Sequence, residues 1–305
     1  MSTKIIKTKK LAWVDIENPS ERTMRSLRKE YNFHPLDIKD CLGVTQRPKI
    51  DVYDKYIFLV LHFPDYNQKT RRIIINELEI FCGRNYLITV HKEKLAVVSK
   101  YFSNCKKNLK IKQEVFKNGS GYLLYKLLDV IFSTYFPAIN QIGKDIAETE
   151  EEVYEGLTKV AVQNLATLRR NILNLRRLIE PQRLILNILV QLKRKFLAEE
   201  LDVYFDDIRD RLEKIWAILE TDRETIEGLY ATNESLLSYR TNEIIKILTI
   251  ISVALLPLTL FTGIYGMNIS GLPFADHPFS VWVIFSIILL AIALFLGYLK
   301  KKDWI

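Results

Sequence analysis

The sequence predicts a fold of mixed α+β and α class, in which an N-terminal α/β domain precedes a long helical stalk and two C-terminal transmembrane helices. Two stretches, 247–275 and 278–299, contain no charged residue. Each is long enough for a spanning helix, which needs about 20 apolar residues. Between Gly156 and Gly263 the only glycine is Gly228, and such a scarcity of helix breakers favours very long helices.

The predicted N-terminal domain, residues 1–120, combines strands with one early helix. Segments rich in β-branched and aromatic residues predict strands, at 11–16, 53–63, 73–81 and 86–91. Asn18 is the expected N-cap of the helix, with Pro19 at its first position. The alternation of Glu77 and Glu79 with apolar neighbours predicts that one sheet face is solvated. A glycine-rich break at 119–121 ends the domain.

The rest of the chain divides by its pattern of charge. Residues 121–202 predict two or three long cytosolic helices, and residues 203–265 predict one stalk helix that continues into the first span. At about 1.5 Å per residue such a helix is on the order of 90 Å long. An extracytoplasmic loop at 266–279, a second span at 280–300 and a basic cytosolic tail at 301–305 complete the prediction.

The basic residues beside the spans predict the orientation in the membrane. Arg240 and Lys246 precede the first span, and the lysines at 300–302 follow the second. The connecting loop contains no Lys or Arg. By the positive-inside rule both termini are expected in the cytoplasm of a multi-pass plasma-membrane protein.

Composition argues against several other classes. The 44 basic and 36 acidic residues give a net charge of +8, but part of this excess is the lysine beside the membrane, so we expect no nucleic-acid partner. Cys41, Cys82 and Cys105 form no metal-binding or disulfide pattern. The sequence holds no phosphate-binding loop, nucleophile elbow or paired catalytic carboxylates, so no enzymatic activity is expected.

Four short motifs carry a resemblance to a known family. Tyr265-Gly266-Met267-Asn268 stands at the end of the first span, which opens with Asn242-Glu243 and contains Pro257-Leu258-Thr259. Gln46-Arg47-Pro48-Lys49 lies in the N-terminal domain. The sequence resembles the CorA family of divalent-cation channels over nearly its whole length.

The resemblance implies a funnel-shaped homopentamer in the lipid bilayer, with the first span of each subunit lining a pore. It also implies passive transport of Mg²⁺, with Co²⁺ or Ni²⁺ as further cargo, driven by the membrane potential and gated by cytosolic Mg²⁺.

Seven residues of the first span form one helical stripe, because their spacings are 3, 3, 4, 4, 3 and 4. These expected pore-lining residues are Asn242, Ile245, Leu248, Ser252, Leu256, Thr259 and Gly263. The stripe is polar at its ends and apolar between them, and apolar constrictions gate by dewetting. The alternative is that the Ser252 and Thr259 hydroxyls only bond their own helix backbone.

The resemblance assigns ion selection at the pore mouth to Gly266, Met267 and Asn268. Mg²⁺ dehydrates reluctantly, and a ring of neutral amide oxygens binds the hydrated ion through its waters. Gly266 permits a sharp turn after the helix. The alternative for Asn268 is an ordinary helix C-cap.

By the same resemblance, Asp40 and Asp207 match a pair that binds regulatory Mg²⁺ between neighbouring subunits. Facing carboxylates repel each other unless a cation lies between them. The alternative is a solvated acidic surface that also includes Asp37, Asp206 and Asp210.

The loop departs from the family pattern, because Leu272-Pro273-Phe274 stands where many members carry an acidic residue. Asp276 is the only carboxylate in the loop, so cations are concentrated less at the mouth. This leaves a zinc transporter of the same fold as an alternative, although Met267 favours the magnesium branch. A second alternative is a cytosolic signalling or scaffold module that uses the hairpin only as an anchor.

Overall fold

The computed structural model describes residues 2–43, 47–92, 95–156, 158–192, 201–268, 272, 278–302 and 304. The chain divides into two compact units, Met1–Tyr230 and Ala231–Ile305. The strands are β1 (Ser2–Lys7), β2 (Ala12–Glu17), β3 (Lys49–Val52), β4 (Tyr56–Asn67), β5 (Arg72–Gly83) and β6 (Tyr86–His91). The helices are α1 (Glu21–Tyr31), α2 (Pro35–Leu42), α3 (Ala96–Lys107), α4 (Leu109–Lys117), α5 (Gly119–Ser133), α6 (Tyr135–Glu155), α7 (Thr158–Gln191), α8 (Asp202–Tyr265) and α9 (Pro278–Lys301).

The sheet of the first unit contains all four predicted strands and two more. Its order is β1-β2-β6-β5-β4-β3. The pairing is antiparallel except between β2 and β6. The strands that the sequence pattern missed, β1 and β3, are the two edges of the sheet. They are short and incompletely buried, as edge strands commonly are, so their hydrophobic signal is weak.

The prediction of a solvated sheet face is wrong at Glu79, which is only 1% exposed. Glu79 lies opposite Val60 in the sheet, on the face that α1 and α2 cover with residues such as Met24 and Ile38. The pKa of the Glu79 carboxyl is raised well above its ordinary value by burial, and Glu77 adds to this shift. Alternation shows which side chains share a face, but only the returning chain decides whether that face is covered.

The start of α1 also differs from the prediction. Ser20, rather than Asn18, is the N-cap, and its Oγ accepts the Thr23 N–H at 3.3 Å. Asn18 instead adopts φ 55°, a left-handed conformation that asparagine tolerates better than most residues. Its N–H donates to the His91 carbonyl, so Asn18 ends β2 rather than starting the helix.

The predicted long helices are present. Between residues 119 and 191 the chain forms α5, α6 and α7, and α8 runs without interruption from Asp202 to Tyr265 with Pro257 inside it. The predicted boundary at 119–121 is not where the helical region begins, because α3 and α4 precede it. Gly119, at φ 89°, marks the junction between α4 and α5.

A heptad seam of α8 lies buried within the first unit. Its apolar members recur at spacings of three and four, apart from one step of seven between Leu219 and Ile226: Phe205, Ile208, Leu212, Ile215, Leu219, Ile226 and Leu229. Ion pairs join α8 to α7: Arg183 binds Glu213 at 2.5 Å, and Arg176 binds Glu220 at 2.7 Å. Because the paired residues run in opposite directions along the chain, the two helices are antiparallel. Heptad spacing on both makes these Arg–Glu pairs successive members of one ion-pair ladder.

The Trp216 ring strengthens the same ladder. The guanidinium groups of Arg176 and Arg183 lie 4.9 and 4.8 Å from its ring centroid. Both distances fall within the range of a cation–π attraction. Each arginine therefore contacts a carboxylate and an aromatic ring of α8 at once.

Asp222 occupies a seam position between Leu219 and Ile226 where the heptad spacing favours an apolar residue. Its Oδ2 atom is buried, and the described residues offer it no hydrogen-bond partner. Burial raises the pKa of Asp222 from its ordinary value of 3.8 to about 6. A charged carboxylate here opposes the packing of the seam.

We expect Asp222→Asn to stabilise the protein at neutral pH. A raised folded-state pKa contributes stability below pH 4 that is lost as pH rises to about 6. The gain from the neutral amide is therefore absent near pH 4 and complete above pH 6. Because the side chain is only partly buried, we expect about 1 kcal/mol. Thermal unfolding of the full chain between pH 4 and 8 measures it, with exposed Glu224→Gln as the control. An equal gain at pH 4 and pH 7 would contradict the assignment.

Candidate functional site

The second unit contains two helices that are long and apolar enough to cross a membrane. Within it the apolar part of α8 contacts α9, and the Phe261 and Phe285 rings lie 6.0 Å apart. The partly buried α8 residues on this side include Ile250, Ala254 and Leu258. Their spacing of four and their continuation at Phe261 make them one face of the helix.

The seven predicted pore-lining residues lie on the opposite face of α8, and all are exposed. They begin at Asn242 and end at Gly263. At 100° per residue the two faces are separated by about half a turn, so α9 leaves the stripe uncovered. Two exposed leucines in its middle, Leu248 at 62% and Leu256 at 64%, form an apolar surface that a single chain does not bury.

The polar residues inside the stripe bond their own helix. Ser252 Oγ donates to the Leu248 carbonyl at 2.9 Å, and Thr259 Oγ1 donates to the Leu255 carbonyl at 3.1 Å. This is the alternative considered from sequence, and within one chain it is what the structure shows. The hydroxyl oxygens keep lone pairs as acceptors, so the bonds do not prevent contact with a solvated ion.

Backbone groups close the C-terminus of α8 before Asn268. The Gly266 N–H donates to the Thr262 carbonyl at 2.8 Å, and the Met267 N–H donates to the Ile264 carbonyl at 3.2 Å. A Cβ atom on Gly266 would lie 2.7 Å from the Thr262 oxygen, so this ending requires glycine. Asn268 is the next residue and is exposed. The Thr262 and Ile264 carbonyls are thus bonded without the Asn268 amide, which argues against interpreting Asn268 as a cap.

Part of the predicted mouth and one motif residue fall outside the description. Pro273, Phe274, Asp276 and His277 of the loop lie outside the described residues, and so does Gln46.

Asp40, at the C-terminal end of α2, forms an ion pair with Lys49. Lys49 Nζ lies 2.8 Å from Asp40 and 2.5 Å from Asp51, so it joins α2 to β3. Burial opposes the charge of Lys49, but its bonds to Asp40 and Asp51 raise its pKa overall. In the sequence analysis Lys49 is only one residue of a motif; the structure shows that it binds the Asp40 carboxylate.

Asp37 is not part of a solvated acidic surface. It is fully buried and accepts hydrogen bonds from the Tyr53 and Tyr56 hydroxyls at 3.0 and 2.8 Å. Burial raises the pKa of its carboxyl, although the tyrosine bonds oppose the shift. Asp37 thus fixes α2 to the sheet, one helical turn before Asp40.

Asp207 projects from the first turns of α8 and is also paired. Arg211 donates to Asp207 at 2.7 Å and contacts Asp129 of α5. Asp206 and Asp210 share Arg209, at 2.8 and 3.3 Å. The i,i+4 spacing of Asp207 and Arg211 was the sequence signal for this pair. Among the described residues no three His, Cys, Asp or Glu side chains are grouped to hold a metal ion.

An α/β unit, one uninterrupted helix that turns from charged to apolar and a second apolar helix define an integral membrane protein with a large polar domain. The chain belongs to a transporter family of this class. The model of the CorA-like Mg²⁺ transporter family matches residues 8–301. The protein is thus a CorA-family divalent-cation transporter.

Known proteins resemble the chain over nearly its whole length. The cobalt/magnesium transport protein CorA of Thermotoga maritima is 31% identical over 90% of this chain and 78% of its own length. The zinc transport protein ZntB of Pectobacterium atrosepticum is 20% identical over 99% of this chain and 90% of its own. The solved CorA magnesium transporter of Methanocaldococcus jannaschii has the same fold, with a TM-score of 0.83 at 22% identity over 98% and 94% of the chains.

We expect Gly266→Ala to impair transport strongly. The new Cβ must displace the backbone at the Thr262 carbonyl, and this shifts Met267 and Asn268. Gly297→Ala in α9 is the matched control, since a Cβ there meets no atom within 4 Å. Uptake of Mg²⁺ into cells that express each variant at equal level measures the effect. Equal uptake by the two variants would show that the geometry of the α8 terminus is unimportant.

Proposed function

We propose that the protein is a homopentameric channel that mediates passive Mg²⁺ influx and also carries Co²⁺ or Ni²⁺. The observation that carries the proposal is the position of Asn268. Asn268 lies directly beyond the end of α8, where the N–H groups of Gly266 and Met267 already bond helix carbonyls. The Asn268 residue is exposed. The side chain is therefore free to face an ion.

The chemistry of the amide suits a hydrated divalent ion. Mg²⁺ usually keeps several waters in proteins, and a ring of amide oxygens accepts hydrogen bonds from those waters. A ring of carboxylates would hold the ion harder and release it more slowly. The membrane potential supplies the driving force, about 4.6 kcal/mol per 100 mV for two charges moving inward.

The exposed stripe of α8 supports assembly around a central pore. Five first spans would face their Asn242 and Thr259 side chains toward one another and away from lipid, where polar groups are costly. Leu248 and Leu256 would then form the apolar constriction. The flanking basic residues favour a plasma-membrane orientation with both termini in the cytoplasm.

The paired carboxylates support regulation by cytosolic Mg²⁺. Asp40 and Asp207 each contact a basic side chain of their own chain, Lys49 and Arg211. In our proposal Mg²⁺ binds between Asp40 of one subunit and Asp207 of its neighbour, against this competition, when its concentration is high. The ion must bind the closed state more tightly than the open one to shift the population.

A zinc transporter of the same fold is the second candidate, and the 20% identity to a zinc transport protein over 99% of the chain favours keeping it. Zinc prefers Cys and His ligands, which the described residues do not group. Flux into liposomes that hold the purified protein, driven by a set potential and measured with competing Mg²⁺ and Zn²⁺, tests both candidates. Inhibition of Mg²⁺ flux by Co²⁺ supports the proposal; Zn²⁺ flux without Mg²⁺ flux replaces it.

We expect Asn268→Ala to abolish Mg²⁺ uptake without changing the oligomer. The substitution removes the amide oxygen that accepts from the ion's water shell and disturbs no capping bond. Asn268→Asp is the matched comparison, because its charged oxygen binds the ion but slows its release. Liposome flux and size-exclusion chromatography measure the two effects. Near-normal flux through the Ala variant would place selection elsewhere.

We expect Asp207→Ala to weaken the Mg²⁺ protection of the cytosolic unit against proteolysis and to lessen inhibition by internal Mg²⁺. Arg211 keeps Asp129 as a partner, so the change leaves no unpaired cation. Asp210→Ala is the control, since its 73% exposed side chain contacts only the neighbouring Arg209. If Asp207→Ala matches the wild type across the Mg²⁺ titration, the regulatory ion binds another pair.

A further inference from the structure

The Arg–Glu ladder between α7 and α8 changes at its third position. The first two pairs, Arg183–Glu213 and Arg176–Glu220, are seven residues apart on each helix. The next pair in this register is Arg169 with Glu227. Instead, Glu227 pairs with Arg223 of its own helix at 3.2 Å.

Two arginines of α7 at this position have no carboxylate partner among the described residues. The Arg169 guanidinium stacks on the Tyr230 ring, 5.8 Å from the centroid. Arg177, one position beyond Arg176, is exposed, and the described part of the chain gives it no ion pair. Neither guanidinium therefore uses its hydrogen-bonding fork on a carboxylate.

A cavity of about 400 Å³ lies at this position of the ladder. Its floor is apolar and includes Ile172 and Ile226, and its charged lining consists of Arg169, Arg176, Arg177, Arg223, Glu180 and Glu227. Four arginines face two glutamates in the lining, and Glu220 beside it pairs with Arg176 and Arg223, so an excess of one positive charge remains. The volume falls within the range of about 300–1,000 Å³ typical of small-molecule sites.

Arg223 lines the cavity from α8. Its buried Nε forms an ion pair with Glu220 at 3.4 Å but no hydrogen bond, and its Nη1 donates to Glu227 at 3.2 Å. A planar guanidinium binds oxyanions through two parallel hydrogen bonds. The cavity thus offers donors from both helices to one anion.

We infer that this cavity binds a small anion of the diphosphate class, which fastens α7 to α8 through Arg169 and Arg177 on one side and Arg223 on the other. An anion offsets the excess positive charge of the lining, and two linked phosphate groups supply acceptors for guanidinium donors on both helices. Because α8 continues to Tyr265, the site lies on the helix that carries the predicted pore stripe. The inference does not depend on the transported ion.

Calorimetric titration of the full-length protein in detergent tests the site. The probes are inorganic pyrophosphate and a nucleoside diphosphate, in magnesium-free buffer at fixed ionic strength, with sodium chloride as the reference. We expect both diphosphates to bind and chloride not to bind. Tighter binding of the nucleoside form would show that the apolar floor also contacts the ligand, whereas no heat from either diphosphate would overturn the inference.

The chain offers a matched pair of variants. Arg177 lines the cavity, and we expect the Arg177→Gln substitution to weaken pyrophosphate binding at least tenfold. Arg170→Gln, on the same helix and equally exposed, lies outside the lining and should leave the affinity unchanged. Equal weakening by both would indicate only a general attraction of basic surface, and would contradict the site.

Hydrogen exchange gives a second readout. Pyrophosphate should slow exchange in residues 165–180 and 216–230 of the wild type but not of Arg177→Gln. If pyrophosphate leaves the exchange rates of the wild type unchanged, the anion does not hold the two helices together.

Discussion

The backbone hydrogen bonding of α8 is the constraint on which the rest of the structure depends. An α-helix satisfies its own N–H and C=O groups, so it is one of the few structures that lipid tolerates. The 64 residues of α8 therefore contain both the charged, heptad-packed half and the apolar half without a break. Even Pro257 lies inside the helix, although proline lacks the N–H that a residue in the helix interior donates. Each half then only needs partners on its own faces.

In the first unit those partners come from α7 and from α5, whose Asp129 contacts Arg211 and whose Tyr125 ring lies 6.4 Å from the Phe205 ring. The buried seam gives α8 its apolar contacts, and the Arg–Glu pairs fix the register of α7 and α8. Surface ion pairs alone contribute little, but here Arg176 and Arg183 also stack on Trp216. The combination favours one register over a slip by a turn, which would separate every pair. Asp222 is the exception within the seam, because burial disfavours its charged form and so raises its pKa.

At the C-terminal end of α8 the hydrogen bonds that end the helix are made by the backbone and not by side chains. The N–H groups of Gly266 and Met267 satisfy the helix terminus, and the absence of a Cβ on Gly266 makes that ending possible. Asn268 therefore takes no part in these bonds at the helix terminus. In the first unit the opposite holds: Asp40 and Asp207 are engaged by Lys49 and Arg211. A ligand at these carboxylates must compete with existing pairs, whereas the described residues give the exposed Asn268 side chain no such partner.

The sequence by itself determined the spans, the uninterrupted α8, the four inner strands and the residues of the stripe. All of these depend on hydropathy and on periodicity between near neighbours, which a one-dimensional pattern records. Only the tertiary structure decided that helices cover the sheet face that holds Glu79, that Lys49 binds Asp40, and that Glu227 pairs with Arg223 rather than with Arg169. These contacts join segments far apart in the chain or depend on which face the returning chain covers. Their energies come from burial and pairing that no local pattern contains.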